Sequence, residues 1–334
     1  MPAVEEYPVG SITGAAAFRR DVVEPCRPVL LRGLVRDWPA IAAATDSPAA
    51  FARYLAPFDA GRDMEAFFGA PRIAGKYYYD ETLQGFNFER RRMRFAEALE
   101  AIVAGLGKPD ADSIYAGSLS IDDYLPGLAD RNPLPMLPGI RPRIWMGHAS
   151  NVAAHYDTMD NIACVVAGRR RFTLYDPRLI DSLYVGPIDR TMAGQPVSLA
   201  AAAAPGDPRY PRFAAVRDQA LVAELEPGDG LYLPKLWWHQ VESTAPFNVL
   251  VNYWWDAFSA GPDAPYTTML LAMIAIADRP EGERGAWKAL FDHYVFRENG
   301  HPLAHLPPER HGILGPLRDN YGRIRAYVMQ MLRG

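Results

Sequence analysis

The sequence predicts a mainly β protein with flanking helices, in which a double-sheet jelly roll or barrel precedes a helical C-terminal region. Between about residues 112 and 256, short apolar or alternating runs are separated by turn residues, as is typical of strands. One separator is PGDG at 227–230, whose proline and glycine supply the backbone angles of a tight turn. Seven or eight short antiparallel strands in roughly 145 residues favour a jelly roll or barrel.

The first 110 residues mix strand and helix signals. RPVLLRGLV at 27–35 indicates a buried strand, whereas PAAFARYLAPF at 48–58 and MRFAEALEAIVAG at 93–105 carry apolar residues at helical spacing. The basic run ERRRMR at 89–94 leads into the second helical segment, so we interpret it as a solvated helix start. Residues 1–110 are therefore expected to form an α/β segment that supports the barrel.

The predicted core covers residues 111–260 and the helical region covers 261–334. SLAAAAAPGDP at 198–208 is interpreted as a surface insertion that ends in turn residues. Apolar faces in the helical region could pack on the barrel or pair two copies of the chain, so a homodimer is a hypothesis. Its helical segments are YTTMLLAMIAIADR, RGAWKALFDHYVF and LRDNYGRIRAYVMQMLRG.

Composition excludes several classes of protein. A chain of 334 residues with 49% hydrophobic and 22% charged residues is globular. Its net charge of −4 provides no electrostatic attraction for nucleic acid, so we expect no nucleic-acid partner. The two cysteines, Cys26 and Cys164, indicate no disulfide scaffold and fit a reducing compartment. The N-terminus lacks a signal peptide pattern, and the run MLLAMIAIA is shorter than the roughly 20 residues of a bilayer span. We therefore predict a cytoplasmic protein with no membrane partner.

A metal site is predicted where NVAAHYDTMDN precedes the apolar run IACVVAG. In an extended segment, residues i and i+2 point the same way, so His155 and Asp157 project together. His239, in LPKLWWHQVES, is the candidate third ligand from a neighbouring strand. Two imidazoles and one carboxylate form the facial triad of non-haem Fe(II) oxygenases, which leaves positions open for a co-substrate and O₂.

Two alternatives stay open on spacing alone. His155 and Asp157 could be a hydrogen-bonded pair at the start of a strand, with His239 an ordinary half-buried histidine. His148 is a rival ligand, because it lies seven residues before His155 in a strand of the same sheet.

Two segments carry a more specific resemblance. HYDTMDNIACVVAGRRRFTLYDP and EPGDGLYLPKLWWHQVESTAPFNVLVNYWW resemble the cupin-like JmjC family of Fe(II)/2-oxoglutarate dioxygenases, most of all the branch with the asparaginyl hydroxylase of hypoxia-inducible factor. PVLLRGLVRDWPA is similar to the usual opening of that family. The resemblance implies a double-stranded β-helix, iron held by His155, Asp157 and His239, and 2-oxoglutarate as co-substrate.

The far carboxylate of 2-oxoglutarate needs a cation deep in the barrel. In AGRRRFTLYDP, Arg170 shares a face with Phe172 and Leu174, so alternation predicts that its guanidinium enters the core, where it requires an anionic partner. The family has a lysine fifteen residues after its first histidine, which is the position of Arg170 here. The alternative is a surface arginine cluster.

Further co-substrate contacts are implied by the resemblance alone. Tyr115 in SIYAGS matches a tyrosine that reaches the co-substrate carboxylate, and Asn161 and Asn252 match asparagines near the co-substrate and iron. Core packing or purely structural hydrogen bonds are the alternative for all three. One departure is Val152, where related enzymes often carry a threonine.

The expected reaction is hydroxylation of a carbon in a protein or peptide side chain, with release of succinate and CO₂. The alternatives are the same chemistry on a small molecule, or a cupin-fold metal-binding protein without 2-oxoglutarate turnover. A cupin isomerase or a dioxygenase that uses no keto acid is disfavoured, because such sites carry a second histidine where this chain has Asp157.

Overall fold

The structure is a computed structural model. It describes residues 1–189, 191, 194–259, 261 and 263–332. Contacts divide the chain into two compact units, Met1–Ala257 and Phe258–Gly334.

The first unit consists mainly of two sheets. An eight-stranded sheet has the order β1-β11-β8-β13-β6-β5-β2-β4, and a five-stranded sheet has the order β10-β9-β12-β7-β3. Neighbouring strands are antiparallel except β3 and β7, which are parallel. The strands are β1 (Val29–Leu31), β2 (Asp63–Gly69), β3 (Lys76–Tyr77), β4 (Glu89–Arg94), β5 (Ser113–Ser120), β6 (Pro142–Gly147), β7 (Ser150–His155), β8 (Asp160–Ala167), β9 (Arg170–Tyr175), β10 (Leu221–Leu225), β11 (Gly230–Leu233), β12 (Trp238–Ser243) and β13 (Asn248–Trp255).

Helices flank the sheets and form the second unit. In the first unit they are α1 (Ala15–Phe18), α2 (Pro39–Asp46), α3 (Pro48–Leu55), α4 (Phe95–Gly105), α5 (Ile121–Tyr124), α6 (Leu128–Arg131), α7 (Ile180–Leu183), α8 (Leu199–Ala202) and α9 (Pro211–Val216). In the second unit they are α10 (Pro265–Ile276), α11 (Glu281–Phe291) and α12 (Leu317–Met331). The predicted fold class, mainly β with flanking helices and a helical C-terminal region, is confirmed.

Strand β8 explains the apolar run that follows the HYD motif. All of its residues are buried, and successive side chains point to opposite faces of the sheet. Cys164 belongs to the core cluster that contains Phe51 of α3. Val165 instead packs with Phe172 of β9, in a cluster between the two sheets. The strand is apolar throughout because both of its faces are covered.

Two turns, one between β8 and β9 and one between β10 and β11, are shaped by close contacts. Gly168, between β8 and β9, has φ +75°, and a Cβ there would meet Oδ1 of Asn248 at 2.2 Å. In the PGDG turn, the Asp229 carboxylate accepts from the backbone N–H of Glu226 at 3.0 Å and of Gly33 at 2.9 Å. The close approach at Gly168 leaves no space for a side chain, and the Asp229 hydrogen bonds tie the turn before β11 to Gly33.

Two expectations need correction. ERRRMR is not a helix start: it is β4, which pairs with β2 at the edge of the large sheet. Its exposed arginines suit an edge strand, and α4 begins only at Phe95, where the Glu97 side chain accepts from the N–H of Arg94. In the described part of the region 112–256 there are nine strands, where seven or eight were expected.

The second unit differs from the first in burial. None of α10, α11 and α12 contains a buried residue. Exposed apolar side chains include Ile274 of α10, which is 77% exposed, and Phe296, which is 66% exposed. Among the described residues, no helix combines the length and the apolar character needed to span a membrane.

Candidate functional site

Two histidines and an aspartate meet at one end of the five-stranded sheet. His155 is the last residue of β7, Asp157 follows in the adjoining loop, and His239 is the register partner of His155 on β12. One potential ligand atom from each residue lies within 4.8 Å of the other two. The Nε2 atom of His239 is 3.7 Å from Oδ2 of Asp157, and the imidazole centroids are 4.2 Å apart. This geometry brings the three predicted ligands together.

Backbone carbonyls orient both imidazoles. Nδ1 of His155 lies 2.9 Å from the carbonyl oxygen of Ala153, and Nδ1 of His239 lies 2.9 Å from that of Trp237. Since a carbonyl oxygen can only accept, Nδ1 carries the proton in each ring. The Nε2 lone pairs are therefore left for a ligand, which is the arrangement found in protein metal sites.

The electrostatics of the site keep the imidazole of His239 neutral near pH 7. The pKa of His239 is lowered to about 4, chiefly because burial disfavours the imidazolium. His155 also lowers this pKa, whereas Asp157 opposes the shift. A neutral imidazole is the form that binds a metal. Two nitrogen donors and one carboxylate without a thiolate fit Fe(II) better than structural zinc.

The metal cluster opens into a cavity of about 350 Å³. All the residues predicted to bind metal or co-substrate line it: His155, Asp157, His239, Arg170, Tyr115, Asn161 and Asn252. They come from β5, β7, β8, β9, β12, β13 and the loop after β7, so both sheets contribute.

Arg170 is a buried cation in this cavity. Its side chain is enclosed, with the residue only 3% exposed, and its Nε has no hydrogen-bond partner among the described residues. The Tyr115 hydroxyl favours the charged form of the guanidinium, and no carboxylate of the described residues forms an ion pair with it. Burial lowers the pKa of Arg170 and raises that of Tyr115 to about 12, while each residue opposes the shift of the other. An enclosed guanidinium with an unused donor fits the carboxylate of a ligand.

The two predicted asparagines are hydrogen-bonded to each other. Nδ2 of Asn252 donates to Oδ1 of Asn161 over 3.1 Å, and the indole Nε1 of Trp145 donates to Oδ1 of Asn252 over 2.6 Å. Asn252 is therefore satisfied on both sides within the protein, whereas Asn161 keeps its amide nitrogen for the cavity.

Val152 and His148 resolve two questions raised by the sequence. Val152 lines the cavity with methyl groups, at the position where related enzymes often carry a hydroxyl. His148 lies outside the metal cluster: its Nδ1 accepts from the N–H of Ile114 at 3.0 Å, and its Nε2 lies 2.8 Å from the carbonyl oxygen of Ile102. Both ring nitrogens of His148 are thus committed to structural bonds.

The cavity also contains residues that sequence reasoning missed. Trp145 shares one face of β6 with Arg143 and Gly147, whereas Ile144 and Met146 on the other face are buried in the core. Alternation alone would therefore have assigned the apolar pair, and not Trp145, to the interior. The other missed residues line one wall of the cavity: Phe67, Tyr77, Phe88 and Arg90. The ring centroids of Phe67 and Phe88 lie 4.9 Å apart. No local signal marks these four, because their strands reach the cavity only through long-range pairing.

Comparison with known proteins gives the family. The model of a family described as a cupin-like domain matches residues 15–261. Jumonji C domain-containing protein 5 of Drosophila melanogaster is 39% identical over 34% of this chain and 27% of its own length. Lysine-specific demethylase JMJ31 of Arabidopsis thaliana is 34% identical over 34% of this chain and 20% of its own length.

A third relative matches more broadly. The bifunctional peptidase and (3S)-lysyl hydroxylase JMJD7 of Homo sapiens is 24% identical over 72% of this chain and 80% of its own length. By contrast, the chain matches about a quarter of the length of the first two relatives. The predicted family and fold are thus confirmed. Because the family match covers well over half of its residues, the chain belongs to the cupin-like JmjC domain family.

Proposed function

We propose that this chain is an Fe(II)- and 2-oxoglutarate-dependent oxygenase that hydroxylates a carbon of a protein or peptide side chain. One observation carries the proposal: the ligand atoms of His155, Asp157 and His239 lie within 4.8 Å of one another, in the same cavity as a buried Arg170. When bound, iron and 2-oxoglutarate supply the oxidising power, with O₂ as oxidant and succinate and CO₂ as products.

The residues of the chain have distinct tasks in this proposal. His155, Asp157 and His239 hold the metal from one side and leave its other positions free for ligands. Arg170 and Tyr115 bind the far carboxylate of the keto acid, since their donors are buried in the same cavity. The enclosing aromatic and aliphatic walls exclude water from the reacting carbon.

A protein or peptide substrate is favoured by the names of two relatives and by one wall of the cavity. Two of the relatives carry names that refer to lysine, as a lysyl hydroxylase and a lysine-specific demethylase. At the cavity wall, the guanidinium of Arg90 lies over the rings of Phe67 and Phe86, at 5.2 and 5.4 Å from their centroids. Such a surface suits one side chain of a peptide, and Arg90 is held there by an ion pair with Glu65 at 3.4 Å.

The test is succinate formation by the full chain with Fe(II), ascorbate and 2-oxoglutarate. We expect succinate from the natural chain and none above background from His155→Ala or Asp157→Ala. His293→Ala is the matched control, because His293 is exposed in the second unit. Loss of activity in all three variants, or in none, would refute the assignment.

The substrate is identified in the same system. Peptide mixtures incubated with the enzyme should contain products that have gained one oxygen atom, detected by mass spectrometry. Oxygen insertion confined to small molecules would establish the alternative substrate class. Metal binding without succinate under any condition would establish a metal-binding protein without turnover.

We also propose that a second copy of the chain covers the helices of the second unit. The support is the exposed apolar surface of α10 and of the segment around Phe296. Sedimentation should then give twice the 37.1 kDa of one chain, and a species of 37.1 kDa would overturn the homodimer. The cytoplasmic location stays a prediction.

A further inference from the structure

Three polar side chains form a hydrogen-bonded chain, here named the amide relay, across the inner face of the eight-stranded sheet. Trp145 on β6 donates to Asn252 on β13 over 2.6 Å, and Asn252 donates to Asn161 on β8 over 3.1 Å. β13 lies between β6 and β8, and the register places Leu250 opposite Trp145 and Trp254 opposite Asn161. The amide relay therefore follows one diagonal of the sheet along the cavity wall.

The polarity of the amide relay is dictated by its first member. An indole N–H can only donate, so the atom of Asn252 that faces Trp145 must be the carbonyl oxygen. The amide nitrogen of Asn252 then faces Asn161, which must present its own oxygen. If either amide were rotated by 180°, two donors or two acceptors would face each other and a hydrogen bond would be lost. The free group at the end of the relay is consequently the NH₂ of Asn161, a pair of donors.

We infer that Trp145 is a positioning residue that fixes the Asn161 amide as a hydrogen-bond donor to the keto acid. This inference rests on the proposed function, since the acceptor is an oxygen of bound 2-oxoglutarate. The amide nitrogen of Asn161 donates to no acceptor among the described residues, and Asn161 lines the cavity together with His155 and Asp157. Without the indole N–H, both amides can rotate and present an oxygen to the anionic ligand.

Gly117 on β5 leaves space for the indole of Trp145. A Cβ at Gly117 would lie 2.7 Å from the Trp145 ring and 3.1 Å from the Tyr115 ring. The absence of a side chain at Gly117 lets β5 approach the indole, whose centroid is 6.1 Å from that of Tyr115. The donor is thus held in place by packing on the same side as the predicted carboxylate site.

The test uses Trp145→Phe, which keeps an aromatic ring and removes the N–H. The full chain is loaded with Mn(II) in the absence of oxygen and titrated with 2-oxoglutarate in a calorimeter. Losing one oriented hydrogen bond should weaken 2-oxoglutarate binding about tenfold. Trp287→Phe is the control, because that indole N–H lies in the second unit and faces Glu283.

A double-mutant cycle separates positioning from packing. If the indole acts through Asn252, adding Trp145→Phe to Asn252→Ala should change 2-oxoglutarate affinity less than twofold beyond Asn252→Ala alone. If the two effects multiply, Trp145 acts by packing and the inference is overturned. The metal-free protein gives a second readout, since the Trp145 indole proton should exchange slowly in NMR spectra and lose that protection in Asn252→Ala.

A further variant tests the polarity itself. Asn161→Asp keeps an oxygen that accepts from Asn252 and replaces the free NH₂ with a second oxygen. We expect Mn(II) binding to persist and 2-oxoglutarate affinity to fall about a hundredfold or more, because two anionic groups then meet. Unchanged affinity in Asn161→Asp or Trp145→Phe overturns the inference while the proposed function stands. Failure of the natural chain to bind 2-oxoglutarate overturns the proposed function as well.

Discussion

Strand β8 and helix α10 are both strongly apolar, but only one of them is buried. Every residue of β8, Asp160–Ala167, is covered by side chains of the same unit, whereas no residue of α10, Pro265–Ile276, is buried. The apolar composition of a segment therefore does not by itself show that its side chains are buried within the same chain. The first unit has a buried core of its own, whereas apolar side chains of the second unit are exposed.

The largest expected effect tests this difference in core packing. Phe51, 1% exposed, lies in the core of the first unit, so Phe51→Ala should lower the free energy of unfolding by about 3–5 kcal/mol. Phe296→Ala, at a side chain that is 66% exposed, should lower it by less than about 0.5 kcal/mol. Urea unfolding of both variants measures the two costs, and equal values would contradict the contrast between the units.

The next effect concerns pH and the metal-free protein. Because the pKa of His239 is about 4 in the folded chain and about 6.5 when unfolded, the unfolded state binds more protons between these values. The contribution of His239 to the free energy of unfolding is fully present above pH 6.5, and it decreases by about 3 kcal/mol as the pH drops to 4. Urea unfolding with a chelator measures this decline, which His239→Gln should reduce. A decline of equal size in His239→Gln would show that another group titrates.

An effect of similar size is expected at the buried cation. Arg170→Met removes the charge-assisted bonds that we propose for the co-substrate, so 2-oxoglutarate affinity should fall about a hundredfold. The fold should persist, since the change also removes a buried charge that lacks a carboxylate partner. Calorimetry with 2-oxoglutarate and thermal unfolding measure the two properties. Arg170→Lys, which restores the residue of the family, should recover most of the affinity.

The smallest effect on stability is expected in the second unit. Ile274→Asp places a charge on the most exposed apolar side chain of α10. It should convert the proposed dimer into a species of 37.1 kDa, while the free energy of unfolding of the first unit changes by less than about 0.5 kcal/mol. Sedimentation and thermal unfolding are the measurements. A dimer that survives this change would place the interface elsewhere.

The sequence was most informative where a pattern is local. Alternation in RRRFTLY predicted that Arg170 faces inward with Phe172, and the i, i+2 spacing predicted that His155 and Asp157 project together. Both side-chain arrangements occur in the structure. His239 was a candidate from its setting in LPKLWWHQVES, and the family resemblance supported it, since no periodicity links residues so far apart in the chain.

What the sequence could not predict depends on which strands become neighbours. The amide relay exists because β13 lies between β6 and β8, an order that joins segments far apart in the chain. ERRRMR was misjudged because a basic run suits a helix start and an exposed edge strand equally well. Only its pairing with β2 decides between the two.

The register pairing of His155 with His239 also sets the order of events during synthesis. A nascent chain that ends before β12 offers one imidazole and one carboxylate, which hold a transition metal weakly. The three-residue cluster can therefore form only after β12 has been made and has paired with β7.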